Sequence, residues 1–190
     1  MPERVCPWWL GYLLASPLRK WISENPERLI APFVKEGMTV VEPGPGMGFF
    51  TLPLARRVGP TGRVIAVDIQ PRMLESLRRR AGKAGLTDNI ETYLAQPDRM
   101  GIPDLNHAAD LVFAFAVVHE MQSAESFFSE SAQMLKPGGT LYLAEPKGHV
   151  TPEIFAAELE AASAAGLRFK EVANPPVRRC HAVILEKTNS

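Results

Sequence analysis

Residues 38–50 read Met38-Thr-Val-Val-Glu-Pro-Gly-Pro-Gly-Met-Gly-Phe-Phe50, and this stretch decides the fold. Met38 to Val41 is a short apolar, β-branched run, the pattern of a buried strand. It ends in an acid, Glu42, followed by glycines at 44, 46 and 48 and a helical pattern from Phe49. Strand, glycine turn and helix together make a nucleotide-type cofactor site. Glycine lets the backbone turn tightly and approach a ligand that a Cβ would push away. The helix start beyond supplies unpaired N–H groups. A dinucleotide loop, G-x-G-x-x-G, would need glycine where Phe49 stands, and a Walker loop would need Gly-Lys-Ser/Thr, with no lysine near. What is left is acid-x-Gly-x-Gly-x-Gly, or a tight turn that holds no ligand.

Outward from the loop, strands and helices alternate. Residues 51–58 fit a first crossover helix that stops at Gly59-Pro60, and residues 63–68 a second apolar strand closed by Asp68. Asp68 lies 20 residues beyond Gly48, the spacing at which a strand-end carboxylate meets ribose hydroxyls. A helix N-cap is the competing role for it. A helix from Pro71 follows, and the run Arg78-Arg79-Arg80 reads as its solvated face. Further strands are expected at residues 90–95, 109–115 and 140–145, with two closing strands at 167–172 and 180–186. A helix at 124–135 ends at Lys136-Pro137-Gly138-Gly139, where proline stops it and the glycines reverse the chain into the fifth strand. Thr151 caps a further helix with Pro152 at its first position. The pattern predicts an α/β fold: a Rossmann-like, doubly wound, mostly parallel sheet with helices on both faces.

Glu42-x-Gly44-x-Gly46-x-Gly48 resembles motif I of the class I S-adenosylmethionine (SAM)-dependent methyltransferases. Residues 110–121, with Asp110-Leu-Val and His119, look like the corresponding segment of small-molecule methyltransferases of the ubiquinone/menaquinone-pathway type, and Leu-Lys-Pro-Gly-Gly before residue 140 is a further match. The resemblance covers residues 38–187. It implies seven strands with the last antiparallel, SAM as cofactor and S-adenosyl-L-homocysteine as product. It also implies a cofactor site at Glu42, Gly44, Pro45, Gly46, Gly48 and Asp68, with Ile69 on the adenine and Phe115 and Ala116 along the methyl donor. The family's Gly-Asp-Ala after the third strand appears here as Ala95-Gln96-Pro97, so Gln96 and Pro97 take the adenine-side position, with Asp98 as a second candidate. Asn-Pro-Pro-Tyr, the fourth-strand motif of amino-methylating nucleic-acid enzymes, is absent.

Composition narrows the class. Lys+Arg and Asp+Glu both total 21 in 190 residues, so the chain lacks the basic bias of nucleic-acid binding. Cys6 and Cys180 are too few for a disulfide framework, carry no metal spacing and argue against an arsenite-methylating role. They read as reduced thiols in a cytoplasmic protein. The apolar run at residues 5–18 is too short to span a membrane and reads as part of the mature chain. The expected organisation is an N-terminal helical segment, residues 1–36, before a SAM-binding domain at residues 37–190. Asn25 caps a helix there, and Trp8, Trp9 and Tyr12 either pack on the sheet or cover a small, apolar or aromatic acceptor. Methyl transfer is a direct displacement governed by positioning. An oxygen acceptor benefits from a base, and the candidates at the strand ends are His119, Glu120 and Glu145, each with a structural alternative. No metal is expected. A SAM-binding module without turnover and a nicotinamide-nucleotide oxidoreductase are the competing functions, and the acceptor and oligomeric state do not follow from the residues.

Overall fold

The computed structural model describes residues 25–102 and 105–188. The tryptophan-rich stretch before residue 25, on which the expected lid rests, lies outside the described residues. A short helix α1 (Pro26–Ile30) opens the described chain, with the Asn25 side chain accepting from the N–H groups of Glu27 and Arg28. It leads to β1 (Thr39–Pro43), α2 (Thr51–Val58), β2 (Arg63–Asp68), α3 (Pro71–Ala84) and β3 (Ile90–Leu94). Then come β4 (Ala109–Phe115), a 3₁₀ turn (Val118–Glu120), α4 (Ala124–Met134), β5 (Leu135–Pro146), α5 (Pro152–Ala164), β6 (Leu167–Val172) and β7 (Cys180–Lys187).

The seven strands form one sheet in the order β3-β2-β1-β4-β5-β7-β6. The pairs from β3 across to β5 are parallel, and β7 runs antiparallel to both β5 and β6. Strand order reverses between β1 and β4, which opens a crevice at their carboxyl ends, the usual place for a ligand in such sheets. One face buries Val40, Val64, Leu111, Phe113 and Tyr142 beneath α1 and α2. Leu77 and Ala81 of α3 pack on Ala66, on the same side of β2 as Val64. The other face carries Val41, Val112, Leu141 and Leu143 against Phe127 and Phe128 of α4 and Phe155 and Ala162 of α5. The central strands are buried on both sides, which is why they read as continuous apolar runs.

The first crossover helix spans Thr51–Val58, as the residues predict, although the helical pattern itself begins at Phe49. Gly44, Gly46 and Gly48 all hold positive φ, and Leu54 N–H to Phe50 C=O at 2.8 Å is the first tight i to i−4 bond. Two boundaries differ from expectation, each for a local reason. The third strand stops at Leu94 rather than 95, because Gln96 turns back to bridge Arg99. The fifth strand begins at Leu135 and carries the Lys136-Pro137-Gly138-Gly139 turn within it. Leu135 already pairs with Ala109, and the register shifts before Leu111 meets Thr140. Gly138 takes up the turn at φ 74°.

Candidate cofactor and acceptor site

Buried strand ends and the glycine loop converge on one cavity of about 1210 Å³. Typical small-molecule sites occupy ~300–1,000 Å³, so this one has room for a cofactor and a second molecule. The loop contributes Glu42, Gly44, Pro45 and Gly46 to the wall, and the end of β2 contributes Asp68 and Ile69. Gln96 and Pro97 enter after β3, and Phe115, Ala116 and His119 where β4 ends.

Glu42 is 3% exposed, and its Oε2 has no hydrogen-bond partner. Burial pushes its carboxyl up to about 8; the Thr51 hydroxyl opposes the rise and the charge of Asp68 adds to it. A buried carboxyl oxygen left without a partner is costly, so its retention beside a glycine loop suits a polar or cationic group. Gly44 sits at φ +65°, and a Cβ there would stand 2.6 Å from Val117 Cγ2. The loop is thus closed down on the exit of β4. Gly46, at φ +55°, has no atom within 4 Å of where a Cβ would be, and the space above it belongs to the cavity.

Asp68 is held by the loop it serves. Its Oδ2 accepts from Gly46 N–H at 3.3 Å and its Oδ1 from Gln70 N–H at 2.8 Å. Burial raises its carboxyl to about 6; the N–H groups of Gln70 and Gly46 lower it, and the charge of Glu120 adds to the rise. Ile69 stands partly exposed beside it at 38%. Across the cavity, Gln96 Oε1 accepts from Arg99 Nε at 3.0 Å, so its amide carbonyl already has a partner within its own turn. Gly48 is different. It is not on the cavity wall, and a Cβ there would meet Leu77 Cδ1 at 2.6 Å. Its place in the motif is filled by packing between loop and α3.

The exits of β4 and β5 build the second half of the site. Ala116 is in the left-handed region at φ 55°, a strained state for a residue with a Cβ, with its N–H bonded to Ala144 C=O at 2.7 Å. This turn aims Val117 and Val118 at Glu145, which is fully buried. Glu145 Oε1 accepts from Val117 N–H at 3.1 Å and Val118 N–H at 2.9 Å. Its Oε2 pairs with His119 Nδ1. The Glu145 bond raises the His119 imidazole above its ordinary value, burial opposes this, and the charges of Glu145, Glu120 and Glu158 add to the rise. Since Nδ1 is engaged by Glu145, Nε2 is the nitrogen left for the cavity that His119 lines. The His149 ring lies 5.4 Å from that of His119. Glu145 itself does not reach the cavity wall; it acts through His119 and the two peptides.

One wall of the cavity is apolar and aromatic. Phe49 and Phe50 meet edge to face at 5.0 Å, and Phe50 lies 4.7 Å from Phe115 and 5.0 Å from Phe113. Phe49 and Phe50 looked like helix residues in the sequence; the delayed helix start makes them cavity wall instead. The sequence also gave no signal for the closure of Val117 on Gly44 or for His149 beside His119, since both contacts join segments far apart in the chain. Among the described residues no group of three or more His, Cys, Asp or Glu could hold a metal ion, and no helix is long and apolar enough to cross a membrane.

Sheet order, glycine loop and strand-end carboxylate together define a Rossmann-like cofactor-binding domain of the methyltransferase type. The chain belongs to the methyltransferase domain family, whose model matches residues 41–143. It is 34% identical over 115 residues to the ubiquinone/menaquinone biosynthesis C-methyltransferase UbiE of Pseudomonas putida (strain GB-1), covering 59% of this chain and 43% of that protein. It is 29% identical over 121 residues to the arsenite methyltransferase of Halobacterium salinarum, covering 64% of this chain and 30% of that one. The chain thus spans less than half the length of these relatives. A SAM-dependent methyltransferase structure from Aquifex aeolicus superposes with a TM-score of 0.81 at 26% identity, over 96% of this chain and 99% of that one. A structure of a S-adenosyl-L-methionine-dependent methyltransferase homologue from Methanococcus maripaludis shares the fold at a TM-score of 0.79 and 17% identity, over 100% and 98% of the two chains.

Proposed function

We propose that this protein is a SAM-dependent methyltransferase acting on a small-molecule acceptor. The observation that carries the reading is the pairing of Glu42, buried with an unpartnered Oε2, with a glycine loop whose Gly46 leaves open space. The donor set fits the cofactor: an unpartnered carboxyl suits the cationic methionine end, and Asp68 suits two ribose hydroxyls. When bound, SAM supplies a methyl group on a sulfonium, and displacement leaves S-adenosyl-L-homocysteine.

The chain's own residues do the binding and positioning. Asp68 holds the ribose with Gly46 and Gln70 fixing its oxygens. Ile69, Gln96 and Pro97 would hold the adenine side, and Phe115 and Ala116 would face the methyl donor. Phe49 and Phe50 exclude water at the far wall. His119 takes the acceptor's proton at Nε2, with Glu145 fixing Nδ1 and the ring orientation. An acceptor whose oxygen must lose a proton uses this pair directly, and the aromatic wall suits an apolar or aromatic body. Of the N-terminal segment, residues 1–36, the part before residue 25 is proposed to cover it, on the strength of Trp8, Trp9 and Tyr12, while Leu29, Ile30 and Val34 pack on the sheet.

Calorimetry with SAM, S-adenosylhomocysteine and NAD on the wild type and on Asp68→Ala tests the cofactor. Micromolar SAM binding that collapses in the variant supports the reading, and NAD binding in its place overturns it. Release of S-adenosylhomocysteine in a screen of small apolar and aromatic acceptors separates an enzyme from a binding module. Alanine at Trp8, Trp9 and Tyr12 that left turnover of the identified acceptor unchanged would remove the lid.

A further inference from the structure

Helix α5 packs an acid where its neighbours are apolar. Its inward positions are Phe155, Glu158 and Ala162, spaced by three and four as one face of a helix requires. Phe155 and Ala162 join the core with Leu143 and Val183, whereas Glu158 puts a carboxyl into the same layer. Glu158 is 6% exposed, and its Oε2 has no hydrogen-bond partner. A leucine or methionine would fill such a position at no electrostatic cost, so the acid breaks the local rule without a structural return. Departures of this kind concentrate at functional sites.

What lies opposite explains its presence. β5 and β7 pair with Glu145 directly across from His181, and residues opposite one another in an antiparallel pair share a face of the sheet. The His181 ring stacks on Phe155 at 5.0 Å, three residues before Glu158 on the same helix. His181 Nε2 is likewise buried with no partner. His181 therefore shares a sheet face with Glu145, and Glu158 follows one turn after the Phe155 ring that stacks on His181. Neither lines the cavity, and Glu145 is in turn paired with His119. Glu158 also responds to both members of that pair: burial raises its carboxyl to about 7, Glu145's charge adds to this and His119's opposes it. The titratable groups facing His119 are thus Glu145 from β5, Glu120 beside it in the chain, His149 after β5 and Glu158 from α5.

We propose that Glu158 is a positioning residue of the acceptor site, acting through Glu145 on the charge of His119, with His181 closing the buried cluster. The proposal deepens the reading of His119 as the acceptor's base and rests on it. With Glu158 ionised, a second negative charge adds to that of Glu145 and favours the imidazolium. With Glu158 protonated, that support is withdrawn and His119 gives up its proton more readily. Because the two groups interact, their protons come off in steps that belong to the cluster.

The test follows the imidazole Cε1–H signals of the full chain by NMR across pH 5 to 9, with His119 assigned by their loss in His119→Gln. Wild type is compared with Glu158→Gln and Glu158→Met, both of which remove the charge. The expected result is a His119 midpoint lowered in the variants by half a pH unit or more, about a threefold change in proton affinity. A role confined to packing would change the melting temperature and leave that midpoint in place, which would overturn the proposal. If neither variant folds, the wild-type curve decides. Two inflections at His119, the second at the pH where the assigned Glu158 carboxyl signal itself titrates, uphold the coupling, and one simple step overturns it. SAM binding to the wild type, measured separately by calorimetry, tests the cofactor reading, so the failure of either is told apart from the failure of the other.

Discussion

Gly44 and Gly46 share a motif and a positive φ, yet the structure gives them different tasks. A methyl group on Gly44 collides with Val117 at 2.6 Å, while one on Gly46 meets nothing within 4 Å. Gly44→Ala is therefore expected to push the loop away from β4 and weaken SAM binding at least tenfold, about 1.4 kcal/mol. Gly46→Ala is expected to fold with a strain cost of about 1–2 kcal/mol and to lose SAM affinity only by intruding on the ligand's own space. Melting temperatures and SAM titrations of both variants check the contrast; equal behaviour would show that the glycines serve backbone freedom alone. At the other end of the site, His119→Gln is expected to lower kcat on an identified acceptor by about 10²–10⁴-fold, the range for a lost general base. SAM binding is read alongside, so that a lost cofactor is not mistaken for a lost base. Glu145→Ala strands the Val117 and Val118 N–H groups, at about 1–3 kcal/mol for each buried donor left unmade. It is expected to lower the melting temperature as well as the rate.

Among the elements, α3 and α2 show how the loop is held. Gly48 lets Leu77 approach to where a Cβ would be 2.6 Å away, and Leu77 is fully buried against Leu52 and Ala66. Leu77→Ala is expected to cost about 2–5 kcal/mol, and Gly48→Ala to destabilise by overpacking at the same contact. Their double mutant should recover part of the loss, since the alanine at 77 vacates the space the alanine at 48 needs. Additive losses in denaturant titration would count against this contact as the reason for the third glycine. Sequence spacing alone placed that glycine in the cofactor loop. Helix α2 ends with Asn89 Nδ2 donating to Ala55 C=O at 2.7 Å and Gly59 C=O at 3.2 Å, a cap supplied from the turn just before β3. No pattern within residues 51–59 announces it.

For the whole molecule, acid groups set the pH response. Glu42, Asp68 and Glu158 are raised to about 8, 6 and 7 in the folded chain, above the ordinary carboxyl range of ~4. A raised group favours the folded state while protonated, so its contribution is fully present below the unfolded value and is lost as pH rises through the folded one. His119 is also raised, by its bond to Glu145, and has the same sign. The stability of the ligand-free protein is therefore expected to fall steadily from about pH 5 to pH 8. On the proposed placement of its cationic end at Glu42, SAM is expected to favour the ionised carboxyl, to release protons on binding and to bind more tightly as pH rises. Thermal melts across this range with and without SAM, and calorimetry in buffers of different ionisation enthalpy, check both signs. A stability maximum at pH 8 in the ligand-free protein would contradict the burial of these acids.

The sequence by itself determined the strand–glycine–helix unit at residues 38–58, the alternation that makes an α/β sheet, and the strand-end acids Glu42 and Asp68. These are local facts: a period of two or 3.6 along the chain and a turn that only glycine tolerates are written in consecutive residues. The same holds for the Asn25 and Thr151 caps, whose side chains reach only their own first turns. Tertiary structure alone decided which neighbours those ends acquire. Parallel pairing of β4 with β5 sets His119 against Glu145 across 26 positions in the chain. The antiparallel β7 brings His181 opposite Glu145, and α5 stacks Phe155 on His181 one turn before Glu158. Such contacts depend on the strand order across the sheet and on the register of each pair. Neither is encoded in any short window, because hydrophobic periodicity says which face a residue occupies and not what will cover it.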